Sequence, residues 1–420
     1  MQELFTVLPP AEAFATLARA CSPMPGVETV PLDAALGRVL ASDVRAAETL
    51  PGFPRATMDG YALRAADSAG ASEQSPAYLR LTGDVHTGVV PEVRVGAGEA
   101  VRIHTGAMLP RGADAVIMVE QTNLHAATAA RPAEVEVLAA AAGGENVLAI
   151  GEDVRTGAIA VPAGRRLRPA DAGGLAALGI VRVPVRVRPR IAILSTGDEV
   201  VAVGARPAPA QVRDVNATTV AAVVTQAGGF PVACGIAPDD SVQLERALRA
   251  ALAGADAVVL SAGSSVSVRD LTAGVVSQLG APGVLVHGIA IKPGKPTVLA
   301  VCDGKPVVGL PGNPASALVV AWRIVRPLVR LLGGERVDAD GLDDERERSA
   351  ILDVPLPSRP GREDYVPCAL ARDADGALHA TPLFGASNLI FTLVRADGLI
   401  AVPLDRSGLD AGERVRVIVP

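Results

Sequence analysis

The segment Lys292–Pro296 carries the two lysines best placed by sequence to hold an anion. Its two prolines restrict the backbone on either side of Gly294, so we expect the ammonium groups of Lys292 and Lys295 to be presented from a stiff loop. An ammonium group is a strong donor to phosphate and similar oxyanions. The segment therefore predicts an anion-binding loop, although ordinary solvated lysines are the alternative.

Loops rich in small residues follow two apolar runs that we predict to be strands. Residues Ser195–Gly197 come after Ile191–Leu194, and Ser261–Ser265 come after Ala257–Leu260. Backbone N–H groups and hydroxyls in such loops can cradle phosphate oxygens, but ordinary turns between strands and helices have the same composition. The candidate substrate-binding residues here are Ser195, Thr196, Gly197, Gly263, Ser264 and Ser265.

The loop Gly309–Pro314 leads into a predicted helix. Asn313 should cap this helix, with Pro314 at its first position. The N–H groups near Ala315 and Ser316 should then point toward the strand ends, where the positive end of a helix attracts anions. A cap alone does not explain both prolines and the first glycine of the loop. The binding candidates in this segment are Pro311, Gly312, Asn313 and Ser316.

Acidic residues cluster in the same strand-end loops. They are Asp198, Glu199, Asp214, Asp239, Asp240 and Asp270. Carboxylates beside a phosphate site are typical of a bridging Mg²⁺, because they would otherwise repel the ligand. Asp239 and Asp270 are the metal candidates, but both also fit helix caps, as do Asp240 and Asn216. The local sequence leaves these two roles open.

Strands and helices alternate from Arg190 to Leu332, which predicts an open, mostly parallel α/β domain. Ligands of such sheets bind at the carboxyl ends of the strands. The loops should therefore meet in one pocket for a phosphorylated anionic small molecule. The predicted strands are Ile191–Leu194, Pro231–Gly235, Ala257–Leu260, Val284–Ile291, Thr297–Val301 and Val307–Leu310, and the predicted helices are Asn216–Ala227, Ser241–Ala253, Asp270–Leu279 and Pro314–Leu332.

The rest of the chain has a different pattern. The spacing of apolar residues predicts a short helix over Pro10–Ala20. Short runs separated by glycines predict β-rich structure up to Pro189, with one helix near Pro169–Gly179, and a small β domain at the end of the chain. Within the β-rich part, Asp59 and Asp153 lie beside glycines, where a plain turn is the alternative to a functional acid.

Composition narrows the classes of function. At 420 residues the chain is too long for a single core, and a net charge of −6 with 2% aromatic residues argues against nucleic-acid binding. The four cysteines are far apart, which predicts reduced, buried thiols and neither a zinc site nor disulfides. P-loop, nucleophile-elbow, zinc-protease and dinucleotide motifs are absent from the sequence. Without a leader pattern or an apolar run of about 20 residues, we expect a cytoplasmic protein with no membrane contact.

Seven motifs, in this order along the chain, resemble the molybdopterin molybdenumtransferases, the family of MoeA and the gephyrin E domain. The motifs are Leu36–Ala41, Met58–Ala62, Thr105–Pro110 with Gly112–Val116, Gly151–Asp153, Ser195–Glu199, Lys292–Pro296 and Gly309–Pro314. Each motif alone is weak, but the ordered set is specific and spans nearly the whole chain.

The resemblance implies a multidomain α/β plus β protein that forms an elongated homodimer. Its active site would be shared between subunits, with Asp59 of one subunit approaching the loop Lys292–Pro296, the lysine loop, of the other. The implied domains are a molybdopterin-binding α/β domain (1–25 and 189–334), a β-rich linking domain (26–45 and 154–188), an inserted domain (46–153) and a C-terminal β-barrel (337–420). The implied partner protein is the molybdopterin adenylyltransferase.

The resemblance also implies an activity, with molybdate and adenylylated molybdopterin as substrates and Mg²⁺ as cofactor. Molybdenum is inserted into the pterin and AMP is released, in the last step of molybdenum cofactor biosynthesis. By position in the motifs, Lys292, Lys295 and Ser316 match the oxyanion site, and Ser265 the pterin-phosphate loop. Asp239 and Asp270 match the Mg²⁺-linked acids. The other matched candidates are Asp59, Asp153, Glu199 and Asp214 as catalytic acids, and Thr105 and Gly294 as binding residues.

Two alternative functions stay open. The segment Ser261–Val268 departs from the usual family pattern at Ala262, Ser267 and Val268, so a non-catalytic molybdopterin-binding or scaffold protein of the same family is one alternative. Molybdopterin adenylyltransferase activity is the other, although the additional domains argue against it. Tungstate has nearly the size and charge of molybdate, and the sequence does not choose between the two oxyanions.

Overall fold

The computed structural model describes residues 7–24, 26–261, 266–337 and 347–419, with the backbone alone over 266–270. Contacts divide the chain into two compact units. We call Asp43–Pro162 with Pro169–Val181 the inserted unit, and Met1–Ser42 with Ala163–Arg168 and Arg182–Pro420 the main unit. The four-domain division is finer than these units and stays a prediction. Among the described residues, no helix is both long and apolar enough to cross a bilayer.

Helix α1 (Pro10–Arg19) and strand β1 (Val27–Pro31) open the main unit. Proline suits the first helical position because the N–H that it lacks would have no partner there. Ala13, Phe14 and Leu17 lie on one face of the helix and are buried, so the predicted N-terminal helix is confirmed. This face packs into the core of the α/β sheet described below.

The inserted unit is rich in strands, as predicted. In β9, buried Val135 and Val137 alternate with the half-buried Glu134 and Glu136, the pattern of a strand with one face on a core. A six-stranded sheet has the order β7-β4-β6-β5-β9-β8, and its β5–β6 pair is parallel. The elements are β2 (Val44–Arg45), β3 (Arg55–Ala56), β4 (Gly60–Leu63), β5 (Ala77–Val85), β6 (Glu99–Ile103), β7 (Ala115–Met118), β8 (Thr122–His125), β9 (Glu134–Val137), β10 (Val147–Leu148), β11 (Ile159–Val161) and α2 (Pro169–Ala177).

The chain then returns to the main unit through β12 (Arg182–Arg186), which pairs with β1, and builds an α/β domain. Its elements follow the predicted alternation of strands and helices. They are β13 (Arg190–Thr196), β14 (Val200–Val201), β15 (Val212–Arg213), α3 (Val215–Gln226), β16 (Phe230–Ala237), α4 (Ser241–Gly254), β17 (Ala257–Ser261), α5 (Val266–Val276), β18 (Pro282–His287), β19 (Ile291–Lys292), β20 (Val298–Cys302) and β21 (Lys305–Leu310).

The central sheet of this domain has the order β16-β13-β17-β21-β20-β18. Strands β16, β13, β17 and β21 are parallel, whereas β20 and β18 are antiparallel to their neighbours. The antiparallel edge follows from the short connection between β20 and β21. These strands are joined by a tight turn in which Asp303 and Gly304 have φ of 50° and 82°. So short a connection cannot make a parallel crossover. The predicted open, mostly parallel α/β domain is confirmed.

The last helical stretch of this domain runs from Pro314 to Leu332, as predicted. It consists of helix α6 (Pro314–Val320), a π-helical segment (Ala321–Val325) and helix α7 (Arg326–Leu332). Pro327 near the start of α7 has no N–H to donate, and a local widening of the helix is a common way to accommodate such a break.

A closed β-barrel of five strands completes the main unit. Strands β24, β25, β22, β28 and β26 form the ring, which closes through the β24–β26 pair. Strand β19 of the α/β domain adds to the outside of this ring by pairing in parallel with β24. The elements are β22 (Glu347–Leu352), β23 (Leu356–Pro357), β24 (Glu363–Arg372), β25 (Leu378–Pro382), α8 (Ile390–Val394), β26 (Gly398–Val402), β27 (Gly408–Leu409) and β28 (Arg414–Ile418).

The cysteines partly contradict the sequence prediction. All four are free thiols, and Cys302 and Cys368 are buried as expected. Burial raises the pKa of Cys368 to about 12, which keeps its thiol protonated. Cys21 is only half-buried, and Cys234 is exposed. Cys234 lies on β16 at the edge of the central sheet, where one side of the strand has no neighbour.

Candidate active site

The lysine loop begins where β19 ends. Gly294 has φ of 125°, and a Cβ atom at this position would lie 2.5 Å from Cγ2 of Val320, so glycine alone fits. The hydroxyl of the buried Thr297 donates to the carbonyl oxygen of Gly294 at 2.7 Å. The loop is therefore held by close packing on one side and by a hydrogen bond on the other, while the side chains of Lys292 and Lys295 are exposed.

Lys292 is the register partner of Asp364 on β24. Asp364 is buried, and its carboxylate accepts hydrogen bonds from Nε and Nη2 of Arg362 at 2.8 and 3.3 Å. The Nζ atom of Lys292 lies 3.8 Å from the same carboxylate. A bidentate guanidinium is the stronger partner, so Arg362 neutralises most of the Asp364 charge and the ammonium charge of Lys292 stays available to a ligand.

A cavity of about 1060 Å³ opens beside this loop, between the α/β domain and the barrel. Its charged lining residues are Lys292, Lys295, Arg359, Arg362 and Asp364. Arg362 and Asp364 offset each other, which leaves an excess of three cations. The predicted binding residues that it brings together are Lys292, Gly294, Lys295, Pro311, Gly312, Asn313 and Ser316. A cavity of this size with an excess of cations suits an anionic ligand.

The loop before α6 differs from its prediction in two hydrogen bonds. Asn313 occupies the position before the helix, but its side chain makes no capping bond. Its amide instead donates to Oγ of Ser387 at 2.9 Å, and the N–H of Ala315 donates to the carbonyl oxygen of the same serine at 3.0 Å. The Ala315 N–H is thus already bonded to the segment before α8 and is not free to bind a ligand. Ser316 is buried and lines the cavity.

Ser195 and Thr196 belong to strand β13, not to the loop after it. The strand continues to Thr196, both side chains are buried, and Oγ of Ser261 donates to Oγ of Ser195 at 3.2 Å. The prediction that both hydroxyls lie in a loop is wrong, because the parallel neighbours extend the ladder by two residues. Gly197, with φ of 140°, begins the turn.

Three carboxylates gather after this turn. The backbone N–H of Asp239 donates to Oδ1 of Asp198 at 3.2 Å. Burial, followed by the negative charges of Asp198 and Glu199, raises the pKa of Asp239. The nearby hydroxyl of Thr196 acts in the opposite direction and lowers this pKa. Neither that hydroxyl nor the buried Oδ1 of Asp239 has a hydrogen-bond partner among the described residues. Carboxylates that repel one another in this way would be stabilised by a divalent cation.

Helix caps account for two other predicted acids. Asp214 caps α3, since its Oδ1 accepts from the N–H of Ala217 at 3.0 Å, and Asp240 caps α4 through the N–H of Gln243 at 2.9 Å. Asn216 is not a cap. It lies inside α3, and its amide donates to the carbonyl oxygen of Gly312 at 2.9 Å, which anchors the loop before α6.

Asp59 and Thr105 lie together in the inserted unit. The N–H and the hydroxyl of Thr105 donate to Oδ1 of Asp59 at 2.7 and 3.0 Å. These two bonds lower the pKa of Asp59, so this exposed carboxylate stays ionised. Asp153 is also exposed in the inserted unit, and its N–H donates to the carbonyl oxygen of Leu50 at 3.1 Å. The candidates Gly263, Ser264 and Ser265, and the side chain of Asp270, lie outside the described residues.

Comparison with known proteins agrees with this arrangement. Three family models match the chain: the MoeA N-terminal region (domain I and II) over residues 8–179, a probable molybdopterin binding domain over 192–331, and the MoeA C-terminal region (domain IV) over 349–419. Molybdopterin molybdenumtransferase 2 of Mycobacterium tuberculosis is 35% identical over 409 residues, which cover 96% of each chain. The chain belongs to the molybdopterin molybdenumtransferase family.

Other members of the family are similar over comparable lengths. The molybdopterin molybdenumtransferase of Bacillus subtilis is 31% identical over 397 residues, covering 93% of this chain and 89% of that protein. The crystal structure of a molybdopterin biosynthesis MoeA protein from Pyrococcus horikoshii covers 99% of this chain and 100% of its own, with a TM-score of 0.82 and 28% identity. The resemblance predicted from the seven motifs is confirmed.

The sequence did not predict that the barrel of this molybdopterin molybdenumtransferase family member lines the cavity beside the lysine loop. Arg359, Arg362, Asp364 and Ser387 were not among the predicted site residues. A signal was present: Arg362 and Asp364 are two residues apart at the start of a strand, so they lie on the same face. That face could be connected to the lysine loop only through the β19–β24 pairing.

Proposed function

We propose that this protein inserts molybdenum from molybdate into adenylylated molybdopterin and releases AMP. The observation that carries the proposal is the cavity beside the lysine loop, which Lys292, Lys295 and Arg359 line together with the Arg362–Asp364 pair. Molybdate and the phosphates of the pterin are both anionic, so one cavity of this charge can hold both. Relatives that carry the name molybdopterin molybdenumtransferase match the chain over nearly its whole length, which supports the same chemistry here.

In this proposal the lysine loop binds the oxyanion. Lys292 and Lys295 supply exposed ammonium groups from a loop whose backbone is fixed at Gly294, and Ser316 supplies a hydroxyl from the start of α6. A fixed loop lowers the entropic cost of gathering these donors around a small dianion. The same charges would favour molybdate and tungstate equally, since the two ions have nearly the same size.

The acidic cluster near the end of β13 fits Mg²⁺, the cofactor implied by the family. Asp239 carries a buried oxygen without a hydrogen bond and a raised pKa, and both features are relieved by a nearby dication. Asp239, with Asp198 and Glu199 beside it, would hold the ion, and Asp270 is the remaining predicted ligand. When bound, Mg²⁺ would neutralise phosphate oxygens of the adenylylated pterin.

The residues of this chain then act by positioning and by neutralising charge. The lysines and Ser316 hold molybdate, and the strand-end loops hold the phosphates, so that the dithiolene sulfurs of the pterin face the metal. The two dithiolene sulfurs, as the attacking soft ligands, bind molybdenum, and one molybdate oxygen leaves as water with the two thiol protons. A water molecule attacks the phosphoanhydride bond, so that the pterin keeps its own phosphate and the adenylyl phosphate leaves as AMP. No protein side chain needs to form a covalent intermediate. Asp59 and Asp153, with Glu199 and Asp214, remain the proposed acidic groups of the site.

We also propose a homodimer with a shared active site and the molybdopterin adenylyltransferase as the partner that supplies the substrate. Both proposals rest on the family membership. Size-exclusion chromatography with light scattering would test the homodimer by measuring its mass. The partner would be tested by mixing this protein with a purified adenylyltransferase and following AMP formation from molybdopterin, ATP and molybdate.

The direct test is AMP release from adenylylated molybdopterin by the purified protein. We expect release that depends on both molybdate and Mg²⁺, and a Lys295→Ala variant at least tenfold lower in kcat/KM for molybdate. Arg249→Ala is the matched control, because Arg249 pairs with Glu245 on the exposed face of α4. Tight pterin binding without AMP release would instead favour the scaffold function, and adenylylation of molybdopterin from ATP would favour the adenylyltransferase.

A further inference from the structure

A second cluster of metal-ligand side chains lies in the inserted unit, apart from the residues assigned above to Mg²⁺. In the described part of the chain, one ligand atom from each of Asp84, His86 and His104 lies within 4.8 Å of the other two. We propose that these three residues form a binding site for one borderline divalent metal ion, with Zn²⁺ as the representative. None of the sequence motifs singles them out as a group.

Two paired strands position the three ligands: Asp84 lies in β5, and His86 and His104 directly follow the ends of β5 and β6. Strands β5 and β6 pair in parallel with Asp84 opposite Arg102 and Val85 opposite Ile103, and the N–H of His104 continues the pairing to the carbonyl oxygen of Val85. Successive residues of a strand point to opposite faces. The buried side chains of Val85 and Ile103 therefore anchor the strands in the core, while the neighbouring positions present the ligand groups on the other face.

This register places His86 directly beside His104. Their imidazole rings stack with centroids 4.9 Å apart and planes 9° from parallel. Two histidines stacked in this way need little rearrangement to share one ion, because their rings already lie side by side.

The spacing of His104 and Asp84 matches that of two ligands on one ion. The Nε2 atom of His104 lies 3.2 Å from Oδ1 of Asp84, yet this buried nitrogen has no hydrogen-bond partner among the described residues. Two ligand atoms about 2.1 Å from a tetrahedral Zn²⁺ are about 3.4 Å apart. An ion between them would satisfy the nitrogen and the carboxylate together, which direct contact does not.

The other nitrogen of His104 faces a second carboxylate. Its Nδ1 atom lies 4.0 Å from Oδ1 of Asp59, the oxygen that also accepts from Thr105. At 4.0 Å the carboxylate makes no hydrogen bond to the ring, but its negative charge favours a cation at the other nitrogen. The two carboxylates also outweigh the nearby positive charge of Arg102, which acts on Asp59, so the local charge favours a dication.

The ligand set defines the class of ion. Two imidazoles and one carboxylate suit Zn²⁺ and similar borderline ions, whereas Mg²⁺ prefers oxygen ligands and water. Three protein ligands leave one coordination position for water. By attracting the negative charge of Asp59, the ion would also restrict the position of that side chain. Only this last consequence rests on the proposed function, in which Asp59 is an acidic group of the site.

Metal titration of the full chain tests the site without an activity assay. After dialysis against a chelator, the protein is titrated with Zn²⁺ by calorimetry and with Co²⁺ by visible absorption. We expect the affinity of one site per chain to fall at least tenfold in His86→Ala and in Asp84→Asn. His125→Ala is the matched control, a histidine of the same sheet that bonds to Glu136 outside the cluster, and it should bind as the unaltered protein does.

Equal binding by His86→Ala and the unaltered protein would overturn the site, as would an equal loss in His125→Ala. Both Asp84 and His86 are exposed, so we expect their variants to keep the fold, and circular dichroism checks this. AMP release measured on the same samples separates the two proposals: Zn²⁺ binding without AMP release would contradict only the proposed function.

Discussion

Lys292 and Asp364 face each other across the pairing of β19 with β24, with the ammonium nitrogen 3.8 Å from the carboxylate. The lysine side chain is 60% exposed, and that of the aspartate only 4%. The buried partner is satisfied by Arg362. The main unit thus keeps a charged lysine at the mouth of the cavity by giving its neighbouring carboxylate a different partner.

We predict that Arg362→Ala lowers the apparent affinity for molybdate by about tenfold, with a smaller effect on kcat. Without Arg362, the carboxylate of Asp364 would be buried beside Lys292 alone, and a buried unpaired charge is costly. Lys292 would then turn to Asp364 instead of the oxyanion. Steady-state kinetics with varied molybdate measures the change. Arg406→Ala, which removes an exposed pair with Glu413 in the same barrel, is the control, and an equal effect of both variants would contradict the explanation.

We predict that Gly294→Ala destabilises the protein and displaces the lysine loop. The new Cβ would lie 2.5 Å from Val320, at a backbone φ of 125°, so both overlap and backbone strain oppose the change, at a cost on the order of 1–3 kcal/mol. Urea unfolding and AMP release measure the two effects.

Gly304→Ala separates strain from overlap, because Gly304 has φ of 82° but no atom within 4 Å of the added carbon. This control should lose less stability than Gly294→Ala and should leave AMP release unchanged, since the turn between β20 and β21 is not part of the cavity. Similar losses in the two variants would show that overlap with Val320 is unimportant.

Local pattern was sufficient to predict most elements of the main unit. Helix α1 and the alternation from β13 to α7 follow from the spacing of apolar residues, which depends only on neighbours in sequence. The antiparallel edge formed by β20 and β18 was not predicted, because a buried apolar strand has the same composition in either direction. Strand ends were also uncertain: Ser195 and Thr196 are polar, and only their pairing with β16 and β17 shows that the strand includes them.

The candidate site was predicted where its residues are contiguous in sequence. The lysine loop and the Gly309–Pro314 loop were both found, because each is a compact motif before or after a strand. Asp364 and Ser387 come from the barrel and reach the cavity through long-range pairing, which local sequence does not specify. Asp84, His86 and His104 were missed for the same reason, since a parallel strand pair brings them together.

We predict that Asp239→Asn abolishes stabilisation of the protein by Mg²⁺. An ion that binds only the folded state raises the melting temperature as its concentration increases, and Asp239 is the proposed ligand with the buried, unbonded oxygen. Without Mg²⁺ the variant should melt about 1–3 °C higher than the unaltered protein, because the repulsion from Asp198 and Glu199 is removed. Asp256→Asn is the control outside the cluster. A Mg²⁺-dependent rise that is the same in Asp239→Asn and the unaltered protein would exclude Asp239 as a ligand.

We predict that His379→Asn weakens the barrel in acid but not in alkali. The imidazole lies between Asp353 and Asp373, with its nitrogens 2.8 and 3.1 Å from their carboxylates, and the hydrogen bond to Asp353 is the largest cause that raises its pKa above 6.5. A histidine whose pKa is raised by folding contributes its full stability below the unfolded value and loses it as the pH rises through the folded value. The two carboxylates stay ionised above about pH 5, so the difference in urea midpoint between the variant and the unaltered protein should be largest near pH 5.5 and vanish near pH 9. A difference that grows with pH would refute the role of the protonated imidazole.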